Sequence, residues 1–186
     1  MSGALVLVGL SGSGKSTVGR LVAGRLGLAV RDTDRLIEQR TSDSVAALFA
    51  TRGEAAFRDL EEQAVADVCA QPCVAAMGGG AVLRPANRAR MRCGNLVVWL
   101  DTPAAILASR LARHTHGEER PLLRGNLDER MAVLWVERRA AYAAASHVRV
   151  PTLRSGHSGS HAVAAVVTAC FTAWLGGTTP QEGTTK

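Results

Sequence analysis

Residues 9–16 read Gly9-Leu10-Ser11-Gly12-Ser13-Gly14-Lys15-Ser16, a turn of the form G-x-x-x-x-G-K-S set directly after the apolar run Ala4-Leu5-Val6-Leu7-Val8 and directly before an amphipathic stretch. This is the feature that constrains the fold most, because such a turn needs a buried strand on one side and the start of a helix on the other. Its glycines let backbone N–H groups converge at the helix N-terminus, where the aligned peptide dipoles favour an anion. Lys15 supplies a point charge for the β- and γ-phosphates of a nucleotide, and the Ser16 hydroxyl is a ligand for Mg²⁺. A glycine-rich turn that binds nothing is the bland alternative, but all the fixed positions are filled in the strand-to-helix setting. Gly12, Ser13, Gly14, Lys15, Ser16 and Thr17 are therefore expected to hold ATP and Mg²⁺. Lys15 is also chemically singular: of the 22 basic residues only it and Lys186 are lysine.

The rest of the chain fits a setting of this kind. Apolar runs that read as buried parallel strands recur at 73–77 and 96–100, with a weaker one at 147–150 and a short one at 28–31. Helical patterns fall between them at 15–26, 33–39, 44–50, 52–70, 85–92, 103–113, 127–145 and 160–174. The alternation predicts an α/β fold, a three-layer α/β/α sandwich around a parallel sheet of about five strands. At 186 residues there is room for one such domain, expected over 1–175. The polar stretch around 113–125 has the length of a mobile lid. Residues 176–186 (GGTTPQEGTTK) have no apolar anchor and are expected to be disordered.

Composition excludes some function classes. No run approaches the roughly 18 apolar residues of a membrane span, so no membrane partner is expected. The net charge of +6 comes from arginines scattered along the chain rather than in a block, and with 4% aromatics it gives little support to a nucleic-acid partner. The four cysteines have no metal-type spacing and read as small buried hydrophobes of a reducing cytoplasm.

The phosphate loop is shared by GTPases, motor ATPases and small-molecule kinases, so other residues must identify the acceptor. Asp32-Thr33-Asp34 falls at the carboxyl end of the sheet, where open α/β folds bind ligands. One such carboxylate can hold a metal-bound water and the other can take a proton from an attacking hydroxyl; capping the next helix is the structural alternative, and both can hold together. Arg58 lies near the start of a helix, where acids are preferred, which invites a functional role; a solvent-exposed or salt-bridged arginine is the bland alternative. Gly78-Gly79-Gly80 ends a strand and lets a backbone approach a ligand. Arg120 in the lid stretch is placed to stabilise a transferring phosphoryl group, unless it is only a solvated loop residue. Arg138 and Arg139 point about 100° apart on one helix, so only one of them faces any given site.

These residues together resemble the shikimate kinase family. The chain carries GLSGSGKST at 9–17, DTD at 32–34, G-E-x-x-F-R-x-x-E at 53–61, GGG at 78–80, RPLL at 120–123 and R-x-x-x-Y at 138–142, in the family's order. The resemblance makes the sandwich one of P-loop kinase type and implies that Asp34 contacts the shikimate hydroxyls and acts as base, that Arg58 and Arg138 hold its carboxylate, and that Gly78, Gly79 and Gly80 contact it through backbone. It selects Arg138 over Arg139 by the spacing to Tyr142. It further implies that Asp32 reaches Mg²⁺ through water, that Lys15 and Arg120 stabilise the transferring group, and that Arg110 and Arg154 lie on the adenine side.

Two positions depart from the family pattern: Ser42 stands where a glycine usually follows the threonine, and the lid stretch carries His114-Thr115-His116-Gly117. Two histidines without further ligands favour a solvated pair over a metal site. The expected activity is transfer of the γ-phosphate of ATP to the 3-hydroxyl of shikimate, by a cytoplasmic monomer serving chorismate and aromatic amino acid synthesis. A gluconate kinase is the nearest rival, and the GGG and R-x-x-x-Y signatures speak against it. A nucleotide-binding regulator without chemistry is the rival from another class.

Overall fold

The computed structural model describes residues 3–114, 126–153 and 157–177. Most of the lid stretch, including Arg120 and His116, and also Arg154 and residues 178–186 of the tail lie outside the described residues. The strands are β1 (Leu5–Val8), β2 (Val30–Asp32), β3 (Val74–Ala76), β4 (Leu96–Asp101) and β5 (Val148–Pro151). The helices are α1 (Lys15–Leu26), α2 (Thr33–Thr41), α3 (Val45–Cys69), α4 (Pro85–Arg92), α5 (Ala104–His114), α6 (Leu127–Ala145) and α7 (His157–Leu175), with a 3-10 turn at Ala81–Leu83.

All strand pairs are parallel and their order is β2-β3-β1-β4-β5. Side chains alternate across the sheet and divide the core in two. Leu5 and Leu7 of β1 face Val18 and Val22 of α1 and Phe171 of α7. Val6 and Val8 face Val65 of α3, Met91 of α4, Leu107 of α5 and Tyr142 of α6. Both faces are covered, which is why β1, β3 and β4 are buried throughout and read as unbroken apolar runs. A smaller cluster of Ile37, Leu48, Phe57 and Ala64 joins α2 to α3 beside the β2 edge. The chain winds out to β2 and β3 on one side of β1 and to β4 and β5 on the other, so the loops beyond β1, β2 and β3 gather at one end of the sheet.

Several boundaries differ from the sequence expectation for physical reasons. β2 begins two residues later than expected and ends on Asp32, because this exposed edge strand has no buried apolar run to mark it. The break expected near residue 51 falls at Gly53, whose φ of 77° and ψ of 171° interrupt α3. Helix α7 starts at His157 rather than 160. Cys73 is buried and Cys69 and Cys170 half-buried, but Cys93 is exposed, a correction to the expectation for all four. Burial, and then neighbouring Cys73, push the Cys69 thiol up to about 12, which keeps it unreactive. Among the described residues no helix is long and apolar enough to cross a membrane.

Ser42 caps the C-terminus of α2 at φ 59°, its N–H donating to Glu38 O, so a residue with a Cβ holds the left-handed position that glycine favours. Ser42→Gly should relieve that strain, with the entropy of glycine offsetting part of the gain. The expected result is a stabilisation of about 0.5–1 kcal/mol in urea unfolding, and equal or lower stability would contradict the assignment of strain.

Candidate active site

The phosphate loop connects β1 to α1. Gly14 takes φ 93° as the N-cap of α1, and Gly12 takes φ 82° with a Cβ position only 3.1 Å from Leu111 Cγ, so both conformation and space require glycine at Gly12. Lys15 Nζ folds back to donate to Gly9 O at 2.8 Å and Leu10 O at 3.0 Å, which fixes the ammonium over the loop. Ser13 turns inward, 2% exposed, with its N–H donating to Leu10 O at 3.1 Å, and so shapes the loop from beneath. Ser16 and Thr17 are exposed at the helix start.

Asp32, the last residue of β2, divides its two oxygens. Oδ1 caps α2, accepting from Asp34 N at 3.1 Å and Arg35 N at 3.4 Å, while Oδ2 accepts from the Ser16 hydroxyl at 3.0 Å. Capping and a site role thus coexist in one side chain, and the juxtaposed hydroxyl and carboxylate are hard oxygen donors of the kind that suit Mg²⁺. Arg110 of α5 bridges the loop to the end of β5, donating to Gly12 O at 3.3 Å and Thr152 O at 3.1 Å.

The Gly78–Gly80 backbone forms the floor beside the phosphate loop. Gly78 N–H donates to the fully buried Thr33 Oγ1 at 2.8 Å, which ties the ends of β2 and β3 together. A Cβ on Gly78 would stand 2.5 Å from Asp34 Oδ1 and 2.9 Å from Glu61 Oε1. A Cβ on Gly80 would stand 2.2 Å from Arg58 Nη1, and one on Gly79 would lie 3.6 Å from Ser11 N of the phosphate loop. Asp34, Glu61 and Arg58 therefore crowd Gly78 and Gly80 so closely that a Cβ at either would displace them, whereas a Cβ on Gly79 would meet only ordinary contacts.

Arg58 is 7% exposed in α3, far from the solvated arginine that its helical position alone would suggest. Its Nη1 donates to Glu61 Oε2 at 2.7 Å, and its Nη2 and Nε donate to Glu54 Oε1 at 2.9 and 3.3 Å. Phe57 and Phe49 lie 5.5 and 5.9 Å from its guanidinium carbon. Burial pulls the Arg58 proton affinity down, but Glu61 and Glu54 more than offset it and leave the group above its ordinary value. Burial pushes the Glu61 carboxyl up, against the pull of Arg58, Arg138 and Arg84.

From α6, Arg138 donates to Gly79 O at 3.1 Å and the Tyr142 hydroxyl donates to the same oxygen at 2.5 Å. Burial pushes the Tyr142 hydroxyl well above its usual range, so it stays protonated as a donor. Arg138 is 8% exposed, whereas its neighbour Arg139 is exposed and stacks over Trp135 at 5.3 Å.

The structure thus brings Lys15, Ser16, Asp32, Asp34, Arg58, Gly78, Gly79, Gly80 and Arg138 to one end of the sheet, with Arg110 on the opposite flank of the phosphate loop. Thr33, Glu54, Glu61 and Tyr142, present within the sequence signatures but given no site role of their own there, complete the site. The signal for the two glutamates was present: they stand four residues before and three after Arg58, the spacings at which helical side chains meet.

The model of the family described as shikimate kinase matches residues 11–170. A shikimate kinase of Symbiobacterium thermophilum is 47% identical over 152 residues, covering 81% of this chain and 87% of that one. The solved structure of shikimate kinase from Acinetobacter baumannii in complex with shikimate superposes with a TM-score of 0.83 at 28% identity, covering 92% of this chain and 93% of that one. A gluconokinase from Sinorhizobium meliloti shares the fold more distantly, with a TM-score of 0.55 at 17% identity over 94% of this chain and 95% of its own.

The glycine floor yields a test that separates the two halves of the site. Gly78→Ala forces Asp34 and Glu61 apart without touching the phosphate loop, so acceptor-dependent turnover should fall at least about tenfold, the cost of misplacing reacting groups. Binding of a fluorescent ATP analogue should remain within about twofold of the parent. Parallel loss of both would show that the glycine supports the fold rather than the acceptor side.

Proposed function

The chain belongs to the shikimate kinase family and is an ATP-dependent phosphotransferase that converts shikimate to shikimate 3-phosphate on the way to chorismate and the aromatic amino acids, and we propose the following roles for its residues. Arg58 and Arg138 hold the shikimate carboxylate. Asp34 binds the reacting hydroxyl and takes its proton, and the Gly78–Gly80 backbone seats the ring between them. The observation that carries this is the convergence of two buried arginines and one carboxylate on the triglycine floor, next to the loop that carries Lys15.

In this reading Gly12, Ser13, Gly14, Lys15, Ser16 and Thr17 bind the phosphates of ATP, Arg110 lies on the adenine side, and Lys15 stabilises charge on the transferring group. Arg120 and Arg154, outside the described residues, are assigned on the family pattern alone to the transferring phosphoryl group and the adenine side. Ser16 and Asp32 fit Mg²⁺, which when bound neutralises phosphate charge. The lid at 113–125 closes over both substrates and excludes water. We further assign the chain to the cytoplasm as a monomer.

The acceptor is anionic, so two charge-assisted contacts orient it as well as attract it. The Asp34 carboxylate lies against the Gly78 backbone, which supports its assignment to the acceptor hydroxyl, since proton transfer requires short reach. Arg58 is already fixed by Glu54 and Glu61 before an acceptor arrives, so little ordering cost remains at binding.

Steady-state kinetics of ADP release test these roles, with gluconate and no-acceptor controls. Arg58→Ala or Arg138→Ala should raise KM for shikimate by about 10- to 100-fold, the worth of a charge-assisted hydrogen bond, and leave the KM for ATP nearly unchanged. Asp34→Asn should lower kcat by about 10²- to 10⁴-fold with the fold preserved. Unchanged kcat would remove Asp34 as the base, and equal loss of ATP and shikimate binding in the arginine variants would remove the carboxylate assignment.

A further inference from the structure

The edge strand β5 is started by a histidine ring in place of a backbone carbonyl. Val97 of β4 turns both its polar backbone groups toward β5: its O accepts from His147 N at 2.8 Å, and its N–H donates to His147 Nδ1 at 3.0 Å. A longer strand would offer a carbonyl to that N–H, but the carbonyls before His147 are turned elsewhere. Arg92 Nη1 of α4 donates to Ser146 O at 2.8 Å and to Ala145 O at 3.5 Å. Val97 is 0% exposed, so its N–H has no water to fall back on.

The ring can accept at Nδ1 only when it is neutral and carries its proton on Nε2. Protonation would place an N–H donor against the Val97 N–H and leave a buried donor without a partner. The groups packed around the ring do not favour the charged form. Arg92 from α4 is the charged side chain acting on it; the end of α6 contributes Ser146; β4 contributes apolar side chains; and Arg149 of β5 is bound to Asp101 at 2.6 Å. Burial, and then Arg92, hold His147 below the usual histidine range.

The strand that begins at this ring ends at the phosphate loop. Thr152 N–H, just after β5, donates to Asp101 O at 2.8 Å, Thr152 O accepts from Arg110 at 3.1 Å, and Arg110 donates onward to Gly12 O at 3.3 Å. We propose that His147 is a proton-operated latch: the neutral ring fastens the start of β5 to Val97, and its protonation frees that edge and loosens the Arg110 bridge to the phosphate loop. The sign follows from the lowered folded pKa. The contribution is complete above the unfolded value of about 6.5 and is lost as pH falls through the lower folded value. The latch does not depend on the identity of the acceptor.

Amide hydrogen exchange of the full chain, corrected for the intrinsic pH dependence, tests the latch together with ¹⁵N NMR of the ring. The ring should show the Nε2–H tautomer at pH 7.5 and titrate below the ordinary range. Val97 protection should then fall toward pH 5 by up to about tenfold per pH unit. In His147→Gln, whose amide oxygen can accept from Val97 without titrating, that protection should be flat. Affinity for an ATP analogue should weaken several-fold more between pH 7.5 and 5 in the parent than in the variant, a difference that removes titration of the nucleotide itself. Constant Val97 protection in the parent, or a ring that titrates at or above its ordinary value, would overturn the proposal even if the variant fails to fold. Equal pH dependence of nucleotide affinity in the two proteins would overturn the link to the phosphate loop.

Discussion

One carbonyl oxygen, that of Gly79, receives both the Arg138 guanidinium and the Tyr142 hydroxyl from α6. The residues on either side are held as firmly, Gly78 N–H by Thr33 at the start of α2 and Gly80 under the Arg58 guanidinium of α3. The consecutive helices α2 and α3 and the distant α6 are therefore registered against one three-residue stretch of bare backbone. A methyl group on Gly78 or Gly80 would strike a charged atom, a carboxylate oxygen at the first and the Arg58 guanidinium at the second. The absence of side chains at Gly78 and Gly80 is thus what allows charged groups from α2 and α3 to approach one another, and the acceptor half of the site depends on it.

The two buried arginines do different physical work. Arg58 spends Nε, Nη1 and Nη2 on Glu54 and Glu61, so what it offers an incoming anion is mainly a fixed positive charge with its remaining N–H bonds. Arg138 donates to Gly79 O and also interacts with the Tyr142 hydroxyl, and in the proposed reading the remainder of its fork gives the acceptor direction. Leaving both arginines without counter-charges would incur the desolvation penalty of buried ions, and Glu61, 1% exposed, supplies the compensation. If Arg58 and Arg138 hold the acceptor as proposed, its carboxylate enters a site whose charges are already organised and adds to an existing network instead of creating one.

The conformation of the phosphate loop was legible in the sequence because it is made of backbone: glycine spacing between a strand and a helix specifies it. The triglycine was legible for the same reason. Arg58 stood out because a cation sits poorly near a helix start, yet its burial could not be foreseen without knowing that Glu54 and Glu61 meet it across successive turns. The choice between Arg138 and Arg139 came from the spacing to Tyr142 in the family pattern, and the structure agrees by burying Arg138 and exposing Arg139. Local periodicity says little there, since alanine and valine lie on both faces and Val136 is 65% exposed. β2 was placed two residues early because an exposed edge strand lacks the apolar run that marks its neighbours. The role of Thr33, a bond between the ends of two strands 45 residues apart, leaves no pattern to read.

Asp32 links the halves. Its side chain caps α2 with one oxygen and meets Ser16 of the phosphate loop with the other, so the helix that carries Asp34 and the helix that begins with Lys15 are joined through one carboxylate. A cap is worth about 0.5–2 kcal/mol to a helix, and here the same interaction sets the direction in which α2 leaves the sheet. The position of Asp34, two residues on, is therefore referenced to the phosphate loop and not only to α3 and the glycine floor. In-line transfer requires the phosphate and the acceptor hydroxyl to be placed relative to each other with small error. With the roles proposed above, a shared side chain at the junction of β2, α1 and α2 serves that requirement through a single carboxylate.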